Sequence, residues 1–243
     1  MYADGTGVLQ DFAEARVWYL RAAEQGNIDA QKNLGLMHLR GEGVPEDLAS
    51  AANWYRMAAE QGDADAQAVL GSMYRDGEGV AQDAAEAVKL FRKAAEQRSA
   101  SGQNCLGDAL MMAKGVRKNL RQAVECYRKA AEQGHIGAHT NLGLMYANGL
   151  GVPLDFAVAA KWYRTAADLG EPTAQDNLGE LYAVGLGVPK DFVQAYMWND
   201  LAAAGGQARA TERRELLAAK MTSNEIADAQ QRAREWDPAH LKP

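Results

Sequence analysis

The amino-acid sequence predicts an all-α solenoid of 36-residue helix–turn–helix repeats. Three patterns share the period of 36 residues: the dipeptide Leu-Gly, a glycine followed by valine, and a closing pair of alanines. Because 243 residues divided by 36 gives 6.75 periods, repeats account for nearly the whole chain. The Leu-Gly pairs begin at Leu34, Leu70, Leu106, Leu142 and Leu178.

The period also sets the expected domain organisation. We expect a single solenoid domain over residues 1–243, with a truncated first repeat over 1–29, five full repeats over 30–209 and C-terminal capping helices over 210–243. Met1 aligns with Met37, so the chain begins inside the first helix of a repeat. Since an uncapped repeat leaves its stacking face wet, an upstream segment, a partner or a second copy is expected to cover this open end.

Each repeat is predicted to start with an amphipathic helix. In the second repeat Ala30, Leu34 and Met37 recur at i, i+4 and i+7, which places them on one helix face. The segment 40–45 then breaks the helix, because glycine tolerates positive φ and proline cannot continue a helix.

A second helix is predicted to follow, capped at its N-terminus by an aspartate such as Asp47. A glycine such as Gly62 is expected to end it in the left-handed conformation. The stripe predicted to be buried consists of Ala51, Trp54, Tyr55 and Ala58.

Three helix starts have the three-residue spacing of a capping box. They are Asp11 with Glu14, Asp83 with Glu86, and Thr222 with Glu225. The last of them precedes a final helix that is predicted to end near Trp236. The residues expected to seal the last repeat are Ile226, Ala229, Ala233 and Trp236.

The joint motif Ala-x3-Leu-Gly-x2-Tyr-x2-Gly-x-Gly-Val-x2-Asp-x3-Ala-x2-Trp-Tyr-x2-Ala-Ala-x2-Gly resembles the Sel-1-like repeat family, relatives of the tetratricopeptide repeats, over residues 2–208. The resemblance implies a right-handed α/α superhelix whose first helices line a concave surface. It also implies adaptor or scaffold roles, often in bacterial signalling, envelope assembly or host interaction. The fourth repeat departs most from the motif, with Arg98 and Ala113 at turn positions that hold glycine elsewhere. These departures concern the local loop geometry and leave the predicted fold unchanged.

A candidate binding surface lies on the first helices, opposite Leu34. Asparagine recurs there at Asn33, Asn141 and Asn177. Each amide can donate to and accept from the backbone of an extended peptide, although bonds to neighbouring helices or water explain them equally well. The predicted partner-binding residues are Lys32, Asn33, Arg40, Asn104, Asp108, Asn141, Asn148, Asp176, Asn177 and Glu180.

A basic segment over residues 114–121 is a second candidate. Residues 102–137 carry six basic and three acidic side chains, which gives this segment a net charge of +3. Because the whole chain has a net charge of −6, the rest of the chain carries −9. Such a patch could steer an anionic partner, but a solvated loop is the preferred interpretation.

Cysteine and histidine supply two further candidates. Cys105 and Cys126 are expected at the same height of antiparallel helices, which is compatible with a disulfide, but two free thiols are preferred. His135 and His139 are spaced i, i+4 and could supply two metal ligands. Because no nearby residue completes a ligand set, we expect neither a metal nor a cofactor.

Composition and motifs together favour a non-enzymatic scaffold that binds a protein or peptide. The net charge of −6 disfavours general nucleic-acid binding, and no apolar run reaches the ~18 residues of a membrane span. Some cysteine-rich relatives are β-lactamases, so a hydrolase is the alternative, although the sequence has no Ser-x-x-Lys motif. A structural module of a larger polypeptide is a third interpretation. No signal peptide is visible, but because the first repeat is truncated, bacterial periplasm and cytoplasm are both compatible with the sequence.

Overall fold

Thirteen α-helices and no strand make up residues 11–236, the part of the chain that the computed structural model describes. The predicted all-α repeat fold is therefore confirmed. The helices are α1 (Phe12–Ala23), α2 (Ile28–Arg40), α3 (Leu48–Glu60), α4 (Ala64–Asp76), α5 (Ala84–Glu96), α6 (Ala100–Met112), α7 (Leu120–Ala131), α8 (Ile136–Ala147), α9 (Phe156–Asp168), α10 (Pro172–Val184), α11 (Phe192–Ala204), α12 (Ala208–Ala218) and α13 (Ser223–Glu235).

Contacts divide the chain into two compact units, residues 1–119 with α1–α6 and residues 120–243 with α7–α13. We call them the first and second units. In the first, small clusters form between successive helices, one around Leu34 and the next around Leu70. In the second, a larger cluster surrounds Leu178 and Trp198. The truncated helix and open end expected at the N-terminus concern residues 1–10, which lie outside the described part of the chain.

Aspartates cap the second helices as predicted. Asp47 accepts hydrogen bonds from the backbone amides of Ala49 and Ser50, both at 3.0 Å. The same role falls to Asp11, Asp83, Asp155 and Asp191.

Of the three predicted capping boxes, only that of Thr222 and Glu225 is complete. The prediction for Glu14 and Glu86 is wrong, because donors one turn further along their helices bind them instead. The indole Nε1 of Trp18 donates to Glu14 at 3.0 Å, and Lys89 lies 3.1 Å from Glu86.

The turns of the fourth repeat keep the geometry of the others despite their sequence. Ala113 adopts φ 58° and Arg98 adopts φ 64°, values close to those of the glycines at matching turns. Gly77, at the position that matches Ala113, has φ 76°. The departures from the motif therefore change the residue type and not the backbone.

Glycine at the Leu-Gly position makes room for an aromatic ring. A Cβ atom on Gly71 would lie 2.6 Å from Cε1 of Phe91, and one on Gly143 would lie 2.5 Å from Cδ1 of Tyr163. Because real Cβ contacts are longer than this, the rings of Phe91 and Tyr163 can reach the first helices of their repeats only across a glycine. The dipeptide thus fixes how the two helices of one repeat pack.

The tryptophans of the second helices α1, α3 and α9 are less buried than the sequence predicts. Trp18 is 53% exposed, and Trp54 is half-buried at the edge of the cluster around Leu34. Trp198, by contrast, is 1% exposed, because α13 packs against α11 and places Trp236 with its ring 6.3 Å away. Ile226, Ala229 and Ala233 join the same cluster, so the four residues expected to seal the last repeat do contact it.

Candidate partner-binding surface

We use the name first-helix face for the positions that match residues 32, 33, 36 and 40, which occur on α2, α4 and α6 in the first unit and on α8, α10 and α12 in the second. In the first unit Lys32 is its best-anchored member. Lys32 Nζ lies 3.0 Å from Asp63 and 3.4 Å from Asp29. Burial lowers the pKa of Lys32, but hydrogen bonding to Asp63 and then the attraction of both carboxylates raise it above its ordinary value. Lys32 therefore joins α2 to the N-cap of α4 as a fixed cation.

The other predicted residues of the first unit differ in exposure. Asn33 is half-buried, and Arg40 is exposed with Nη1 3.7 Å from Glu42. Asn104 donates from Nδ2 to Asp108 at 3.4 Å, and both side chains are half-buried. They form a polar pair on α6.

Asp108 also lines a pocket of about 160 Å³ in the first unit. Phe91, Val88 and Met112 supply apolar walls, and Lys114 and Arg75 add positive charge. The guanidinium of Arg75 is held by Asp76, with Nη2 to Oδ2 at 2.7 Å. The hydrogen bond from Arg75 is the main cause that lowers the pKa of Asp76.

In the second unit, Asp176 is the most constrained of the predicted residues. It is 4% exposed, and Arg213 Nη1 binds its Oδ1 at 2.7 Å. Nη2 of the same Arg213 lies 2.5 Å from Glu180. Asp176 thus ties α10 to α12 and is less available to a partner than Glu180, which stays exposed.

The asparagines of the second unit have two roles. Asn141 and Asn177 are half-buried on α8 and α10. Asn148 is exposed, and its Nδ2 donates to the carbonyl of Leu144 at 2.9 Å, so it helps to close the end of its own helix. At the position that matches Lys32, Thr140 Oγ1 donates to Glu171 at 3.0 Å, which repeats the link from a first helix to the next N-cap.

A second pocket, of about 190 Å³, opens in this unit. Glu180 and Arg213 form part of its lining, and Asn199 of α11 forms another part. Asn199 is 1% exposed, and within residues 11–236 neither its Nδ2 nor its Oδ1 has a hydrogen-bond partner. Sequence reasoning missed this residue, although it is the first asparagine at a position that holds an aromatic in the earlier repeats.

Sequence reasoning also missed hydrogen bonds between glutamines of the two helices of a repeat. Gln61 Nε2 donates to Gln31 Oε1 at 2.8 Å, and Gln97 Nε2 donates to Gln67 Oε1 at 3.0 Å. The buried Gln31 in turn donates to the carbonyl of Ala23, in the preceding repeat, at 3.3 Å. The signal was a glutamine directly after the first-helix alanine, as at Gln31, Gln67 and Gln175, and it marks helix packing and not a site.

The remaining candidates have structural roles or lie open to solvent. Both cysteines are free thiols, and burial is the main cause that raises their pKa, to about 11 for Cys126. His135 caps α8 by accepting from the amide of Ala138 at 3.2 Å, and buried His139 lies 5.6 Å from the ring of Trp162. The basic side chains expected to be solvated are all exposed. They are Lys114, Arg117, Lys118 and Arg121.

Comparison with protein-family models identifies this repeat. A model of the Sel1 repeat matches residues 1–27, 28–63, 64–99, 100–135, 136–171 and 172–207. The chain belongs to the Sel1 repeat family. Sel1 repeats typically mediate protein–protein interaction, and proteins built from them are generally non-catalytic scaffolds.

Solved structures of Sel1 repeat proteins agree with this fold. A protective antigen of uropathogenic Escherichia coli is 40% identical with a TM-score of 0.78; the match covers 96% of this chain but only 51% of that one. A Sel1 repeat protein from Oxalobacter formigenes is 32% identical with a TM-score of 0.79, over 93% of this chain and 95% of its own. An immunity protein from Pseudomonas aeruginosa, 20% identical with a TM-score of 0.54 over 93% of this chain and 83% of its own, shares the fold alone.

A search of curated proteins gave no match. Within residues 11–236, no helix combines the length and the apolar character that a membrane span requires.

Proposed function

We propose that this Sel1 repeat chain is a non-enzymatic scaffold that binds an extended segment of a protein partner on its first-helix face. One observation carries the proposal: in each unit a pocket opens where predicted residues of this face lie. Asp108 lines the pocket of the first unit, and Glu180 lines that of the second. An extended chain has alternating side chains that can enter a pocket of this kind while its backbone meets the polar residues beside that pocket.

The polar rows suit a partner of varied sequence. Asn141 and Asn177 are half-buried on neighbouring first helices, and a carboxamide can both donate to and accept from a peptide group. The helices that carry them are already ordered, because caps and inter-repeat bonds such as Thr140 to Glu171 fix them. Binding therefore orders mainly the partner, which lowers the entropic cost on the scaffold side.

Replacing Asn141 and Asn177 together by alanine tests the proposal. Peptides selected from a random phage-displayed library against the whole chain serve as ligands, and fluorescence anisotropy gives their Kd. We expect the double variant to bind at least about tenfold more weakly, since two hydrogen-bonding groups are lost. Its helical circular dichroism should match that of the wild type, because neither side chain belongs to the apolar core clusters.

The matched control is Asn53→Ala, which removes an exposed asparagine from the second helix α3. This control should keep the wild-type Kd. Equal affinities for all three proteins, or photo-crosslinks from the bound peptide to second helices only, would contradict the proposed surface.

A further inference from the structure

The last complete repeat breaks the pattern at one position of its second helix. The earlier repeats hold an aromatic residue there, at Tyr19, Tyr55, Phe91, Tyr127 and Tyr163. The rings of Tyr55, Phe91 and Tyr163 lie against the glycine of Leu-Gly. In the last repeat the residue is Asn199, and a Cβ on Gly179 would lie 2.7 Å from its Oδ1. Gly179 is thus retained although the ring that it accommodates elsewhere is absent.

The smaller side chain coincides with a cavity. Asn199 lines the pocket of about 190 Å³ in the second unit, far larger than the ~10–15 Å³ that one water requires. Ala183, Val184, Leu216 and Leu217 give it apolar walls. Leu216 is 66% exposed, so one wall extends to the surface.

The charges around this pocket are largely paired with each other. Arg213 binds Asp176 at 2.7 Å and Glu180 at 2.5 Å. Lys220 also lines the pocket and is exposed. The formal charges of Arg213, Lys220, Asp176 and Glu180 sum to zero, so this pocket carries no net charge that would favour an anion or a cation.

The unpaired amide of Asn199 selects a ligand chemistry. It offers one acceptor and a donor, both buried and without a partner among residues 11–236. A carboxylate can only accept and an ammonium can only donate, whereas a carboxamide can do both at once. An unsatisfied buried polar group is costly, so a ligand that pairs with both atoms gains the most.

We propose that this pocket binds a side-chain carboxamide, that of a glutamine in the partner segment, with its methylene stem between Val184 and Leu216 and its amide paired with Asn199. The inference rests on the proposed function, because it assigns a side-chain preference to one point of the first-helix face. The pocket is the feature that would make an otherwise permissive peptide surface selective.

The test titrates the whole ¹⁵N-labelled chain with N-acetylglutamine methylamide and follows the side-chain amide signal of Asn199, which is assigned by its loss in Asn199→Leu. We expect saturable shifts of this signal and of the guanidinium Nε–H signal of Arg213, which also lines the pocket and is present in every variant. N-acetylnorleucine methylamide has an alkyl side chain without the carboxamide, and N-acetylglutamate methylamide has a carboxylate, which only accepts hydrogen bonds, in place of the carboxamide. Each compound should bind at least about tenfold more weakly than the glutamine compound. Equal binding of the three compounds would show an unselective apolar pocket, and no shift with any would show a pocket filled by water. Either result overturns the inference.

Two variants separate a specific site from a loss of folding. Asn199→Tyr restores the residue of the earlier repeats, so it should fill the pocket, raise Tm and abolish the shifts at Arg213. Asn199→Leu should abolish binding of the glutamine compound with helical circular dichroism unchanged. If library peptides lose affinity in the Asn141 and Asn177 double variant but the glutamine compound does not bind selectively at Asn199, the carboxamide pocket is wrong and the scaffold surface stands. If the peptides keep their wild-type affinity in the double variant while the glutamine compound binds selectively at Asn199, the surface is wrong and the pocket stands.

Discussion

At the scale of single residues, Arg98 and Ala113 hold a backbone conformation that other repeats give to glycine. The left-handed region costs an L-residue roughly 1–2 kcal/mol, partly offset because glycine loses more entropy on folding. Both side chains are exposed, so their removal gives up little packing. We expect Arg98→Gly and Ala113→Gly each to raise the free energy of unfolding by about 0.5–1 kcal/mol, measured by urea denaturation.

The control for these substitutions is the reverse change at the matching turn. Gly77 has φ 76°, and alanine there should lower the free energy of unfolding by a similar amount. If Ala113→Gly destabilises the chain while Gly77→Ala is neutral, then the repeat register does not impose the left-handed turn.

Thiol reactivity is a second property of single residues. Burial raises the pKa of the Cys126 thiol to about 11 and also raises that of Cys105. Because the thiolate is the reactive form, on the order of one Cys126 in a thousand is reactive at pH 8, and this fraction grows about tenfold per pH unit up to the pKa. We expect slow reaction with Ellman's reagent in the native chain and rapid reaction of both thiols in denaturant. A denatured chain without free thiols would instead reveal a disulfide.

At the scale of elements, the sequence is informative wherever the cause is local. The aspartate caps and the Thr222 box follow from spacing within one helix turn, and they form as predicted. The ion pairs of Arg213 with Asp176 and Glu180 could not be predicted, because they join residues more than 30 positions apart. Arg213 also replaces the asparagine that the period predicts there, so the repeat pattern concealed it.

Helix α13 illustrates how one element can bury another. Trp236 covers Trp198, and the rings lie 6.3 Å apart. Trp236→Ala removes that cover, so we expect a loss of about 2 kcal/mol in the free energy of unfolding, a lower Tm and a red shift of the tryptophan emission as Trp198 meets water.

Trp198→Phe is the matched control for this prediction. The indole Nε1 of Trp198 is buried without a partner among residues 11–236, so losing its N–H costs nothing in hydrogen bonding, while a smaller aromatic ring still lies under Trp236. It should cost less than Trp236→Ala. A Trp236→Ala variant with unchanged Tm and emission would show that α13 does not seal the repeat.

At the scale of the whole molecule, the period itself is the structural unit, and this can be tested within the second unit. Two contacts recur 36 residues apart: Arg128 with Tyr146, and Arg164 with Tyr182. If residues 136–171 are deleted, Tyr182 takes the place of Tyr146 in the repeat register. Arg128 can then form with Tyr182 the hydrogen bond that it forms with Tyr146 in the whole chain.

The turns should follow the same rule. Gly151 lies against the backbone of Leu120, and Gly187 lies against that of Phe156. After removal of residues 136–171, Gly187 takes the place of Gly151 against Leu120. Every type of contact between neighbouring repeats is then present again, but the shortened chain has one repeat–repeat interface fewer. Because the stability of a repeat array is roughly a sum of repeat and nearest-neighbour terms, we expect cooperative thermal unfolding, unchanged helicity per residue and a Tm lower by a few degrees. Deletion of residues 148–171 removes only 24 residues, compared with the 36 of a full period, but it brings two first helices together out of register. Although it removes less of the chain, it should abolish the cooperative transition, and equal behaviour of the two deletions would mean that the register of the repeats does not hold the fold.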